Sequence, residues 1–309
     1  MKSLLCLWLC LAGMSMPAQA ESWRFALIGD TPYSDYERQQ FPGMLQGITA
    51  EHVDFIAHVG DIKHSQDACS DALFEDRQQI FNASAAPFIF VPGDNEWTDC
   101  RRVAAGHHDP LERLAALRQR FMPTEESLGQ RRIPLQRQPG EYREHQRWQL
   151  GPILFATLNV PGPSNNYLIS GEPGREARSR MPFVLDWLRD SFALARQQQF
   201  RGIVVLMQAN PGFKNFNAGL GHKGFRTLLE TLRDETRNFP GQVVLVHGDT
   251  HWQRVDHPLR DPVSGKPLPN FTRVETFGYP FLGWVKGFID TDAPGLFRFE
   301  AHTWSPQDQ

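Results

Sequence analysis

Five short stretches of this chain place oxygen and nitrogen donors directly after apolar runs. Gly29-Asp30-Thr31-Pro32-Tyr33 follows residues 23–28 (WRFALI), Gly60-Asp61-Ile62-Lys63-His64 follows 53–59 (VDFIAHV), and Pro92-Gly93-Asp94-Asn95-Glu96-Trp97 follows 87–91 (PFIFV). Further on, Gln208-Ala209-Asn210-Pro211 follows 203–207 (IVVLM), and His247-Gly248-Asp249-Thr250-His251 follows 243–246 (VVLV). A single Gly-Asp is also an ordinary turn signal. Five donor-bearing segments in equivalent positions are not explained by turns, and they point to one shared site. Carboxylates gathered within a few ångströms repel and raise one another's pKa. A divalent cation removes that repulsion, and a mixed oxygen and nitrogen donor set suits Mg, Mn, Fe or Zn. Two such ions about 3.5–4 Å apart lower the pKa of a bound water and clamp an in-line displacement at phosphorus.

The elements that must position these residues are legible in the same pattern. The apolar runs, with a further one at 153–158 (ILFATL), are continuous rather than alternating, which suits strands buried on both faces. Between them, residues 35–50, 68–84, 109–121, 176–199 and 222–238 carry helical periodicity. Asp109 is placed to cap the third of these, with Pro110 as its first helical residue, and Pro240-Gly241 stops the last. The tail adds strands near 271–277, 284–290 and 295–302. Strands alternating with helices give an α/β layered fold. In open sheets of this kind ligands bind beyond the carboxyl ends of the strands, and glycine lets the chain turn there so that the next side chain enters the crevice. Residues 123–150 and 160–180 break the alternation and read as insertions in one domain spanning 21–309.

The order of these motifs, over residues 25–251, resembles the calcineurin-like metallophosphoesterase superfamily, whose pattern runs D-x-H, G-D-x-x, G-N-H-[D/E], a lone His and G-H-x-H. The resemblance implies a four-layer α/β/β/α sandwich and a dinuclear metal centre that hydrolyses phosphate esters. On that alignment Asp30, Asp61, Asp94, Asp249 and His251 are metal ligands, Asp61 being the bridging carboxylate, and Gln208 can bind through its amide oxygen. The departures are as informative. Pro32 stands where the family has His, Asp94 where it has Asn, and Asn95 where it has the His that protonates the leaving group. Gln208 replaces the lone His, and Asp249 replaces the first His of the last motif. Imidazole is traded for oxygen, which favours Mn or Mg over Fe or Zn in a site of one or two ions. With Asn95 in place of His, general-acid help worth roughly 10²–10⁴-fold is weakened, and His64 and His247 are the candidate replacements in the motif loops, a solvated loop histidine and a buried strand-end histidine being the respective other readings. Glu96 orients a neighbour, a direct ligand role being the lesser option. Tyr33 and Trp97 form either a wall of the site or part of the core. Lys63 and Arg101 are either phosphate-neutralising groups or surface charge.

Composition sets the outer limits. The 309 residues carry a net charge of −3, with 40% hydrophobic and 22% charged residues, an ordinary globular mixture without a basic block that would mark a nucleic-acid binder. Residues 1–20 have the parts of a secretory signal peptide: Lys2, the apolar run 4–13 and a small-x-small site at Ala18-Gln19-Ala20. The apolar run is too short to span a bilayer, although a signal anchor is the other reading, and no later segment is long enough to do so. Removing the peptide leaves Cys69 and Cys100, an even pair that reads as one disulfide in an oxidising compartment, two reduced thiols being the other reading. The sequence therefore predicts an exported, periplasmic or secreted, metal-dependent phosphoesterase acting on a phosphate mono- or diester. A catalytically impaired binding or scaffold protein of the same fold is the alternative.

Overall fold

The computed structural model describes residues 22–168 and 170–305. The stretch read above as a signal peptide, 1–20, lies outside them. In chain order the first half runs β1 (Ser22–Ile28), α1 (Asp35–Ala50), β2 (Phe55–His58), α2 (Asp71–Ala83), β3 (Phe88–Phe90), α3 (Pro110–Phe121) and β4 (Gln136–Arg137). The second half runs β5 (Gln146–Leu150), β6 (Ile153–Thr157), α4 (Arg175–Gln197), β7 (Gly202–Leu206), α5 (Phe213–Asn217), α6 (Lys223–Arg237), β8 (Gln242–His247), β9 (Arg254–Asp256), β10 (Phe271–Glu275), β11 (Gly283–Asp290) and β12 (Phe297–Thr303).

These strands form two sheets, β12-β11-β1-β2-β3 and β4-β5-β6-β7-β8-β10-β9. In the first, β1, β2 and β3 are parallel and β11 lies antiparallel beside β1. In the second, β6, β7, β8 and β10 are parallel. Alternation along β1 shows how the layers arise. Phe25 and Leu27 enter a core shared with Phe155 of β6, Val204 of β7 and Val246 of β8, so that core lies between the sheets. Ala26 and Ile28 point the other way, into a core with Phe41 of α1, Phe74 of α2 and Leu117 of α3. A third core packs Ile203, Val205 and Leu245 of the second sheet on Val184 and Leu188 of α4 and Leu228 of α6. Three cores separate four layers, the α/β/β/α sandwich that the motif order implies. Asp109 caps α3 by accepting from the Leu111 amide, with Pro110 in the first turn.

Residues 123–150 are more than an excursion, because β4 and β5 pair antiparallel onto β6 and extend the second sheet. Their polar residues are held in place: Arg147 lies 3.7 Å over the Trp187 ring, and buried Glu144 takes two 2.7 Å hydrogen bonds from Arg118. Among the described residues no helix is long and apolar enough to cross a membrane.

Candidate active site

The loops that leave β1, β2 and β3 are tied to one another by buried bonds. His58, the last residue of β2, donates from Nε2 to the Thr31 carbonyl at 2.8 Å and accepts the Gly60 amide at Nδ1. Burial pushes its pKa down to about 4, so it stays neutral and keeps both bonds. Glu96 joins the second and third loops, its Oε1 accepting the Gly93 amide at 2.7 Å and the Asp61 amide at 3.0 Å. The Asn95 amide returns a bond of 3.1 Å to Asp61 Oδ1. Behind them the Cys69–Cys100 disulfide, with a Cα–Cα distance of 5.7 Å, sets both sulfurs against the Asn95 carbonyl.

The sharp turns fall on the donors themselves. Asp30, Asp61, Asp249 and His251 have φ of 52°, 61°, 78° and 57°, four of the ten non-glycine residues with positive φ among those described. Such backbone is costly and persists only where the surroundings enforce it, which happens most at functional sites. The glycines act mainly by leaving room: a Cβ on Gly93 would collide with the Asp61 carboxylate, and one on Gly248 with that of Asp30.

The second sheet supplies the opposite wall. The Asp249 amide donates to the Asp30 carboxylate at 3.0 Å. The Asn210 amide donates to Asp249 Oδ2 at 2.9 Å. His251 Nε2 lies 3.5 Å from Asp30 Oδ1, and its Nδ1 bonds the Tyr279 carbonyl at 2.7 Å. A cavity of about 310 Å³ opens above these groups, lined by Tyr33, Asp61, His64, Asp94, Asn95, Asp99, Arg102, Asp249, His251 and Tyr279.

Electrostatically the site is short of positive charge. Burial, and then the Asp94, Glu96 and Asp30 charges, push the Asp61 carboxyl well above the usual range. Burial, and then Asp249 and Asp99, do the same to Asp94. Burial raises Asp249 to about 6 and Glu96 to about 7, although backbone amides and the buried Lys63 pull Glu96 down. For His251, burial works against the charged form, yet the Asp30 carboxylate prevails and its pKa rises.

A divalent cation fits this chemistry. Asp94 Oδ1 is buried without a hydrogen-bond partner, and the donors around it are oxygen-rich. Among the described residues no three His, Cys, Asp or Glu side chains converge as a ready-made cluster. The carboxylates are instead turned onto protein donors: Asp30 onto the Asp249 amide, and Asp61 Oδ2 onto the Tyr33 hydroxyl at 3.0 Å and Gln208 Nε2 at 3.2 Å.

Asp30, Asp61, Asp94, Asp249 and His251 are thus brought together, and His64 and Asn95 line the same cavity. Two expectations change. Gln208 accepts the Gly162 amide at its Oε1 and gives its NH₂ to Asp61, so its oxygen is already taken by a backbone amide and it holds Asp61 by donation. His247 lies outside the cavity lining, fully buried, bonding the Gly248 carbonyl at 2.8 Å. Burial pushes its pKa to about 3, which leaves it no proton to give near neutrality. Trp97 belongs to the core, beneath the Arg180 guanidinium. Sequence reasoning missed Asp99, Arg102 and Tyr279 altogether and gave Tyr33 no polar role. Tyr33 had a signal in its place directly after the first motif; Asp99 and Arg102 lie around a single short turn with none.

No family model matches the chain, and no curated protein matches it. Solved structures do. A dimetal phosphatase from Danio rerio superposes with TM-score 0.53 at 12% identity, over 92% of this chain and 99% of that one. PhoD gives 0.56 at 13%, over 93% and 72%. A purple acid phosphatase from seeds of yellow lupin, Lupinus luteus, gives 0.51 at 12%, over 94% and 55%. The chain therefore has the calcineurin-like metallophosphoesterase fold, at 12–13% identity to these structures.

Proposed function

We propose that this chain is an exported, metal-dependent phosphoesterase that hydrolyses a phosphate mono- or diester of a small molecule. The observation that carries the reading is the grouping of four carboxylates from both sheets at one open cavity: buried Asp61 and Asp94 and partly buried Asp249 line it, and buried Asp30 lies against the Asp249 amide. These four and His251 would hold the metal, one ion or two, with Mn or Mg favoured by the oxygen-rich set. When bound, a divalent ion supplies Lewis-acid polarisation at phosphorus and a water acidic enough to ionise near neutrality.

The remaining residues have separable tasks. Tyr33 and Gln208 hold the Asp61 carboxylate from two sides. Asn95 donates to the Tyr33 hydroxyl at 2.9 Å and to the Lys63 carbonyl at 3.0 Å, which fixes it but gives it no proton to transfer. The general acid for the leaving group falls to His64, which lines the cavity with its ring 5.7 Å from that of Tyr33. Arg102, half exposed and 2.7 Å from Asp99, offers its remaining donors to phosphoryl oxygens. Export rests on the composition of residues 1–20 and on the disulfide.

Hydrolysis of p-nitrophenyl phosphate and bis(p-nitrophenyl) phosphate with Mg, Mn, Fe and Zn tests the reading. A wild-type rate no greater than that of Asp61→Ala under every metal overturns it. One observation favours the second reading, an impaired scaffold: Asp61 is already bonded to the Asn95 amide, Tyr33 and Gln208. Metal binding without turnover of either ester is the outcome that reading requires.

A further inference from the structure

A second cavity, of about 520 Å³, adjoins the carboxylate site and has the opposite charge. Lys214, Arg254, Arg260 and Arg273 line it, with Asp256 as its acidic residue and Asn210 at its edge. The two cavities meet at one hydrogen bond, from the Asn210 amide to Asp249 Oδ2, and Asn210 Nδ2 braces the same wall through Thr250 Oγ1 at 3.0 Å.

The charges in it are not equivalent. Arg273 holds Asp256 through Nε at 2.6 Å and through Nη2, and Arg254 holds Glu275 through Nε at 2.7 Å. These two cations are neutralised and serve as walls. Lys214 and Arg260 are exposed, and among the described residues no carboxylate lies within ion-pair distance of either. Arg260 gives one nitrogen to the Gly265 carbonyl at 2.8 Å and keeps the rest of its fork. Two unpaired cations over a concave, partly apolar floor that includes Phe213 and Pro258 make an anion receptor beside a phosphoryl-transfer site.

We infer that the substrate carries a second anionic group, a phosphate or a carboxylate on its alcohol part, and that Lys214 and Arg260 bind that group while the ester lies over the carboxylates. The inference rests on the phosphoesterase reading for the placement of the ester. Its other support is independent, because a carboxylate-rich cavity repels a second anion and two exposed cations outside any ion pair line the cavity across the Asn210 wall. Binding energy from a group remote from phosphorus lowers KM and leaves kcat unchanged when it is equal in ground and transition states.

The test compares a hexose bisphosphate with the matching monophosphate, and phosphoglycerate with glycerol phosphate. The wild type is expected to favour the two-anion member of at least one pair by about tenfold in KM. Which pair shows the preference tells phosphate from carboxylate. The double variant Lys214→Ala/Arg260→Ala, both positions being exposed, should lose that preference while kcat and the KM for the one-anion members stay unchanged. No preference in the wild type, or one that survives in the variant, overturns the inference. Calorimetric titration of inorganic phosphate into the full chain in EDTA separates this from failure of the phosphoesterase reading. Phosphate should bind the wild type and not the variant even if neither hydrolyses anything. Binding equal in the two overturns the anion site.

Discussion

The two sheets contribute unequal halves to one site. The half carried by β1, β2 and β3 is closed. Asp30, Asp61, Asp94 and Glu96 are all buried, Glu96 bridges two loops, and a disulfide lies directly behind. The half carried by β7 and β8 is looser. His251 is partly exposed, Trp252 beside it is largely exposed, and Gln208 reaches across to serve Asp61 rather than standing as a donor of its own. The departures from the motif pattern fall in both halves, Pro32, Asp94 and Asn95 in the closed one and Gln208 and Asp249 in the open one. The acidic loops are tied to one another by Glu96, and the open half adds the Asp249 amide to Asp30 and the Gln208 amide to Asp61.

Breaking the closed half should have the largest effect. Asp61→Ala is expected to lower kcat by about 10³-fold or more, as removal of a preorganised electrostatic group does, measured with either nitrophenyl ester under the best metal. The open half should matter less. Gln208→Ala, which removes only an orienting donor, is expected to weaken metal affinity by about 10–100-fold without altering the number of ions bound. A change in that number, seen by elemental analysis, would make Gln208 a ligand after all.

The staple should contribute mainly stability. Cys69→Ser/Cys100→Ser opens a loop of sequence separation 31 and is expected to cost about 4 kcal/mol by the loop-entropy model, read from denaturant midpoints. Metal affinity that also falls in this variant would show that the bond preorganises the acidic loops, whereas unchanged affinity confines it to stability. A pH effect follows from the same buried acids. Glu96 is raised from 4.5 to about 7 and Asp249 from 3.8 to about 6. Groups raised in this way favour the folded state below their unfolded values and lose that contribution as pH rises through the folded ones. Without metal, Tm should fall by about 5 °C between about pH 5 and about pH 8, and a saturating divalent ion should abolish the fall. The smallest effect belongs to His247→Gln, which lies outside the cavity and should change kcat by less than about twofold.

Much of this was legible in the sequence for definite reasons. β1, β3, β6, β7 and β8 lie under continuous apolar runs because both faces of each are covered, and the helices between them carry clear periodicity. β4, β5 and β9 escaped notice because they are short or rich in Arg and Gln, and their burial depends on partners far along the chain, such as Arg147 on Trp187 and Arg273 on Asp256. The acids of the site were legible because glycine precedes each. The orientations of Gln208 and His247 were not, since what decides them is Gly162 on one side and a closed core on the other.

The topology of the first sheet also orders events in time. β1 lies between β2 and β11, with Ser22 opposite Asp290 and Leu27 opposite Val285, and β12 closes the edge beyond. The second sheet's β6, β7, β8 and β10 are nearly consecutive and can pair soon after they are made. A chain delivered from its N-terminus therefore presents Asp30, Asp61 and Asp94 first and completes the sheet that braces them last. Such non-local pairing is slow. The β1–β11 pairing that completes the sheet beneath these loops therefore waits for the last part of the chain.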